Sequence, residues 1–237
     1  MKKATLAYEE TGVKVWTTDD EQYYIREYTD DAPSPDGQGV VAIAGKGQAN
    51  ARISIECFAM LEKNGVATHI QDLAGENSLS VQKLVILPMQ VRCHNVAAGN
   101  LARRVDVPDG QVLPVPLVEF RLKPEALNNP RYNYEHVTVS MDVSDGEVKV
   151  VQARAIEINA LLKEFFYKRG IVLADCALEF GRDSTREVRL GGDITPDTCR
   201  LWDRETHEKL DRDVFRRDLC GDELAYRTVL HRVAGDS

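Results

Sequence analysis

The sequence predicts a mixed α and β fold, and three stretches carry that prediction. Residues 1–49 hold short strand-like runs separated by polar residues and glycine. Val151–Arg169 repeats apolar residues at helical spacing, with Val151, Ala155, Ile158, Leu162 and Phe165 on one face and Gly170 as its stop. The run Ile171–Phe180 then alternates. Its even positions, Val172, Ala174, Cys176, Leu178 and Phe180, are all apolar, and its odd positions include Asp175, Ala177 and Glu179. Successive side chains of a strand point to opposite faces, so one face packs and the other carries two carboxylates.

In chain order, Thr5–Tyr8, Val13–Thr17 and Tyr23–Tyr28 are short strands, Thr29–Gly37 is a loop by its Asp, Pro and Gly content, and Val40–Ala44 is a further strand. From Asn50 the period becomes helical, through Ile53, Cys57, Met60 and Leu61, and Gly65 ends it. Val66–Gln71 and Leu79–Val85 read as strands, with a boundary near 78–83 dividing the chain into 1–80 and 81–237. Lys83–His94 is extended, and Pro88 makes it either two pieces or a bulged edge. Asn95–Arg104 is a small-residue loop leading into a short helix. Val112–Leu122 is extended, Lys123–Pro130 is a loop, Glu187–Leu190 pairs with the preceding strand, and Leu224–Val233 is a last amphipathic helix.

With 237 residues, 43% hydrophobic and 29% charged, the composition is that of an ordinary globular protein able to bury a core. A net charge of −8 argues against non-specific nucleic-acid binding, which needs a basic surface. Five widely spaced cysteines (57, 93, 176, 199 and 220) contain no CxxC pair, which fits a reducing, cytoplasmic setting. Glu9 and Glu10 cut short any signal-like apolar run, and no stretch is long enough to span a membrane. A small-molecule partner, with a homo-oligomer left open, is the expectation.

Several residues have the chemistry of a site. Asp175 and Glu179 share a strand face and suit a divalent cation or acid–base work, the alternative being a solvated polar face. Asp197 and Arg200, beside Leu201-Trp202, could grip a phosphate through the guanidinium, the alternative being a capped turn with a surface ion pair. Asn95-Val-Ala-Ala-Gly-Asn100 could bring backbone N–H groups and the Asn100 amide to an anion, or simply pack closely. His94 is an acid, base or phosphate contact, or a satisfied structural histidine. Lys46, in Gly45-Lys-Gly47, falls outside a GxxxxGK[ST] phosphate loop and reads as structural.

Taken together and in order, His94–Arg104, Lys123–Pro130, Leu178-Glu-Phe-Gly181, Ile194–Asp203 and Lys209–Arg217 resemble SAICAR synthetase, the purine-pathway ligase. Gly45-Lys-Gly47 and the helix ending in Leu61–His69 resemble it too, so the resemblance spans essentially the whole chain. It implies a two-lobed α+β fold. A small N-terminal antiparallel β lobe covers ATP, in the manner of ATP-grasp and kinase-like architectures, and a larger C-terminal α/β lobe binds an imidazole ribonucleotide. The implied reaction activates the carboxylate of carboxyaminoimidazole ribonucleotide (CAIR) with ATP and Mg²⁺, and the amine of aspartate attacks.

Position by position, the chain is a divergent member. The family's Gly-Lys-x-Lys is here Glu10-Thr-Gly-Val13, the lysine of its Asp-x-Lys-x-Glu-Phe-Gly strand is Ala177, and metal-side carboxylates fall on Gly192, Gln90 and Asn129. On the ribonucleotide side His94 stands for an arginine and Asn100 for a serine, while Lys123, Asp197, Arg200 and Arg216 match. A phosphoryl-transfer site works by positioning and charge neutralisation, so the pattern predicts a ribonucleotide enzyme that has lost ATP-driven ligation and carries out hydrolysis, elimination or decarboxylation. The alternatives are a ligase whose contacts have moved to Lys14, Asp193 and Glu179, and a non-catalytic nucleotide-binding protein. The expected catalytic residues are Asp175, Glu179 and His94. The expected substrate-binding residues are Asn100, Lys123, Asp197, Arg200 and Arg216, with no metal ligand assigned and the use of ATP and Mg²⁺ left open.

Overall fold

The computed structural model describes residues 1–34, 39–122, 130–140, 142–211, 213 and 222–235. The N-terminal strands are β1 (Lys3–Glu10), β2 (Val13–Thr18), β3 (Tyr23–Tyr28), β4 (Asp31–Pro33) and β5 (Val40–Ala42). Helix α1 (Lys46–Lys63) follows, then β6 (Ile70–Gly75), β7 (Ser78–Gln82) and β8 (Val85–Val96). Next come α2 (Asn100–Val105), β9 (Val112–Leu122), β10 (Arg131–Tyr132), α3 (Tyr134–Ser140) and α4 (Asp145–Tyr167). The chain closes with β11 (Ile171–Arg182), β12 (Val188–Gly191), β13 (Cys199–Asp203) and α5 (Asp222–Ala234).

Two antiparallel sheets organise these elements. The first has the order β1-β2-β3-β7-β6 and the second β10-β9-β8-β11-β12, with β13 also paired to β11. The fold is therefore α+β. The first sheet ends at Gln82 and the second begins at Val85, so two residues join them.

β11 lies at the centre of the second sheet, and the alternation read in its sequence decides the layering. Cys176, Leu178 and Phe180 face an apolar layer shared with Val91, Cys93 and Phe120 of the neighbouring strands and Ala155, Ile158 and Leu162 of α4. Each of the Val, Leu, Ile and Phe side chains among them contributes about 1.5–3 kcal/mol on burial. Asp175, Ala177 and Glu179 face the other way. That face is not solvated: Asp175 is fully buried and Ala177 nearly so. A capping box between Ser144 and Glu147 starts α4, and Gly170 at φ 72° ends it.

Local expectations change at α1, β8 and β13. Helix α1 starts at Lys46, four residues before Asn50, because the Asp30 carboxylate accepts from Gly45 N–H (3.2 Å) and Gly47 N–H (2.9 Å) and so caps the helix from another segment. Gly47 also touches β3: a Cβ there would stand 2.5 Å from the Tyr28 carbonyl oxygen. β8 is one strand through Pro88, with its register against β11 shifting between Glu179/Gln90 and Gly181/Ile86, so the bulge is the correct alternative. Cys199–Asp203, not assigned to any element from the sequence, is the strand β13.

Candidate active site

Cross-strand neighbours in an antiparallel sheet share a face, so the register of the second sheet lists what faces the site. Asp175 stands beside His94 on β8 and Arg200 on β13. Ala177 stands beside Arg92, and Arg92 beside Glu119. Glu179 stands beside Gln90, Gln90 beside Arg121, and Arg121 beside Arg131. This is one continuous polar surface opposite the apolar layer.

At one end, Asp175 accepts from Arg92 Nη1 at 2.5 Å and from Arg200 Nη1 at 2.6 Å, and His94 Nδ1 lies 3.6 Å away. Burial alone raises a carboxyl pKa. Here His94, Arg92 and Arg200 outweigh it and hold Asp175 well below the usual carboxylate range. His94 Nε2 is 3.1 Å from Glu119 Oε2, and Glu119 also pairs with Arg104. Against its own burial, these partners lower Glu119 to about 2. Arg200 Nε donates to Asp213 at 2.6 Å, and its Nη2 is 4.0 Å from where a Cβ on Gly99 would stand, beside exposed Asn100. The structure thus brings His94, Asp175, Arg200 and the Asn100 loop together.

At the other end is a cleft of about 330 Å³ between the two sheets. Tyr8, Glu10, Val15, Tyr24 and Arg26 line it from the first sheet, His69 from the segment before β6, the 82–88 segment from the join, and Glu179 and Gly192 from the far side. Arg26 is buried. Its Nη2 donates to Asp193 at 2.6 Å, while its Nε has no partner. His69 Nε2 is 3.0 Å from the Gly192 carbonyl oxygen, and burial together with Arg26 lowers its pKa to about 3, so the ring is neutral.

Gly192 has φ 68°, and a Cβ there would meet Glu179 Cβ at 3.1 Å and Oε2 at 3.3 Å. Glu179 therefore fills the space where the family resemblance expects a carboxylate from residue 192.

Several expected roles are revised. Asp175 and Glu179 share the face but not a site: Asp175 is bound by two guanidinium groups and Glu179 lines the cleft. Among the described residues no group of three His, Cys, Asp or Glu side chains is placed to hold a metal. Asp197 lies away from the Arg200 cluster and accepts from Lys46 (2.7 Å), Asn50 (2.7 Å) and the Tyr226 hydroxyl (2.6 Å). Lys14 alternates to the side of the first sheet opposite Val15, so it does not enter the cleft. Lys123, Arg216 and Asn129 lie outside the described residues.

Other site residues were missed in the sequence. Tyr8 and Arg26 carry no motif, His69 ends the Leu61–His69 stretch without being singled out, and the three converge only through folding. Lys46 was read as structural. Its ammonium is buried and lies 3.0 Å from where a Cβ on Gly12 would stand, directly beneath the β1–β2 turn. The Gly-Lys-Gly stretch was the available signal. Arg92 was passed over although it is directly opposite Ala177.

Comparison with known proteins gives a consistent result. The family model described as SAICAR synthetase matches residues 9–233. The phosphoribosylaminoimidazole-succinocarboxamide synthase of Nitratiruptor sp. is 40% identical over 235 residues, covering 98% of each chain. That of Pyrococcus horikoshii is 40% identical over 237 residues, covering all of this chain and 98% of its own. A structure described as SAICAR synthetase (Type-2) in complex with ADP superposes with a TM-score of 0.92 at 40% identity, covering 97% of this chain and 98% of its own. The Type-1 structure from Pyrococcus horikoshii superposes at 0.89, with 40% identity and coverage of 95% and 98%. The chain belongs to the SAICAR synthetase family, enzymes that form carbon–nitrogen bonds.

Proposed function

We propose that the chain is an ATP-dependent ligase that joins the carboxylate of a CAIR-like ribonucleotide to the amine of aspartate. The observation that carries this reading is the open cleft between the sheets. Val15, Val81, Leu84 and Leu87 give it apolar walls, and the 82–84 segment runs along it, which suits a flat purine ring. A relative that is 40% identical was solved with ADP, which supports nucleotide in the corresponding place here. The division into an N-terminal nucleotide lobe, 1–80, and a ribonucleotide lobe, 81–237, belongs to the same proposal.

The expectation of ATP-free hydrolysis, elimination or decarboxylation drew on the absent lysines. Likeness over the whole chain to synthases supports the ligase better, and cations do stand nearby. Arg26 lies in the cleft, Lys46 beneath the β1–β2 turn, and Arg92 on the same face as Ala177. The described residues do not fit a magnesium site built by protein alone, since Asp193 is taken by Arg26 and Gly192 offers no side chain. Glu179 and Glu10 are the carboxylates that line the nucleotide cleft, one from each side.

The chain's own residues then divide the work. The cleft binds the nucleotide, its apolar walls excluding water. Asp175 fixes Arg92 and Arg200, and Arg200 with the Gly99-Asn100 loop orients the ribonucleotide phosphate. Charge-assisted guanidinium contacts of this kind both bind and position. The test is nucleotide turnover by the purified protein. ADP is expected when CAIR, aspartate, ATP and Mg²⁺ are all present, and on omission of aspartate it should fall to background. Turnover of the ribonucleotide in the absence of ATP would instead restore the ATP-free reading.

A further inference from the structure

We propose that Arg92, Arg121 and Arg131 form an oxyanion subsite over Ala177 and Gln90 on the polar face of the second sheet, taking a carboxylate or phosphate group of the substrate. The subsite deepens the ligase reading, both of whose substrates carry oxyanions, and rests on it for the source of the group.

The placement comes from the register. Arg131, Arg121, Gln90 and Glu179 form one row across four strands, and Glu119, Arg92 and Ala177 form the next. Ala177 is the smallest side chain in this part of the face, so β11 engages Arg92 through Asp175 and leaves the Arg92 Nε without an acceptor. Gln90 adds an amide and no charge. Three guanidinium groups therefore converge beside two neutral residues, between the Asp175 cluster and the cleft.

The charges do not close on themselves. Among the described residues, five arginines (92, 104, 121, 131 and 200) surround three carboxylates, Asp175, Glu119 and Asp213. Glu119 is engaged at close range by His94 and Arg104. Arg121 Nη2 and Arg131 Nε reach it only at 3.9 and 3.8 Å, beyond hydrogen-bonding distance. Arg92 Nε is buried without an acceptor, in a residue 6% exposed, and Arg121 Nε is likewise unpartnered.

A buried donor without an acceptor is destabilising. Burial, with the crowding of Arg92 and Arg131, lowers Arg121 to about 10. A planar guanidinium fork matches the oxygens of a carboxylate or phosphate, and an incoming oxyanion would satisfy both free Nε–H groups while relieving the repulsion.

The experiment is a calorimetric titration of the full chain at low ionic strength with succinate and, separately, inorganic phosphate, both without ATP. One probe should bind at millimolar concentration, and which one identifies the group. Arg121→Gln should weaken that binding at least tenfold, with Arg131→Gln as the second variant if the first does not fold. Glu119→Gln removes the competing carboxylate and should tighten it. The subsite is excluded if neither probe binds, if the arginine variants bind like the parent, or if Glu119→Gln weakens binding. Because no ATP is present, failure here leaves the ADP-formation test standing, and failure of that test leaves this one interpretable.

Discussion

Arg92 stands directly across from Ala177 in the register of β8 and β11, and its guanidinium reaches along the shared face to Asp175 at 2.5 Å. The resemblance assigns a lysine to position 177. The positive charge missing from β11 is thus present on the neighbouring strand, on the same face. Replacing Arg92 by Met leaves buried Asp175 with one guanidinium instead of two. Breaking one partner of a buried ion pair costs about 3–5 kcal/mol. The variant should melt well below the parent in calorimetry, and an unchanged melting temperature would show that the pair contributes little.

Arg200 donates to Asp175 and Asp213 and leans on the Gly99-Asn100 loop. Arg200→Ala should weaken the binding of phosphate-bearing ribonucleotides, by about 1.5–3 kcal/mol for a lost charged hydrogen bond. The comparison to make is with the matching nucleoside. If Arg200 grips the phosphate, nucleoside affinity changes little while nucleotide affinity drops. Equal losses for both would remove that role.

The Asp175 carboxyl is held below its unfolded value of about 3.9, so the folded state prefers the ionised form. Its contribution to stability is fully present above the unfolded value and disappears as the pH falls through the folded one. Denaturant melts should lose stability progressively below about pH 4, and Asp175→Asn should flatten that acid limb. An acid limb as steep in the variant as in the parent would assign acid sensitivity to other groups.

Gly192 and Glu179 occupy one space. Gly192→Ala places a Cβ at φ 68° within 3.1–3.3 Å of the Glu179 side chain. Backbone strain of this kind costs about 1–3 kcal/mol. The variant should be less stable and, by pushing Glu179 into the cleft, should bind ADP more weakly. Unaltered ADP affinity in a folded Gly192→Ala protein would place the nucleotide away from Glu179.

Much of this was legible in the sequence, for local reasons. The alternation of Ile171–Phe180 encodes both faces of β11 because strand periodicity is a property of the chain itself. The same holds for the apolar face of α4, although its start at Asp145, six residues before Val151, and its capping box went unread. The start of α1 was not legible, because its cap is Asp30, from sixteen residues upstream of Lys46 and across a loop. The lining of the interlobe cleft was missed for the same reason: Tyr8, Arg26 and His69 come from three segments, and only pairing of the strands aligns them. The motif residues His94, Asp175 and Arg200 did meet. Asp175 and Glu179 did not act as a pair, since strand alternation shows a shared face but not which neighbouring strands supply the counter-charges.

On the proposed function, the cleft between the sheets holds a nucleotide although the family's phosphate lysines are absent. Calorimetric titration of the purified protein with ADP measures this directly. The predicted result is saturable binding that weakens when Arg26 is replaced by Met. An absence of ADP binding up to millimolar concentration, in a sample that binds the ribonucleotide tightly, would contradict it.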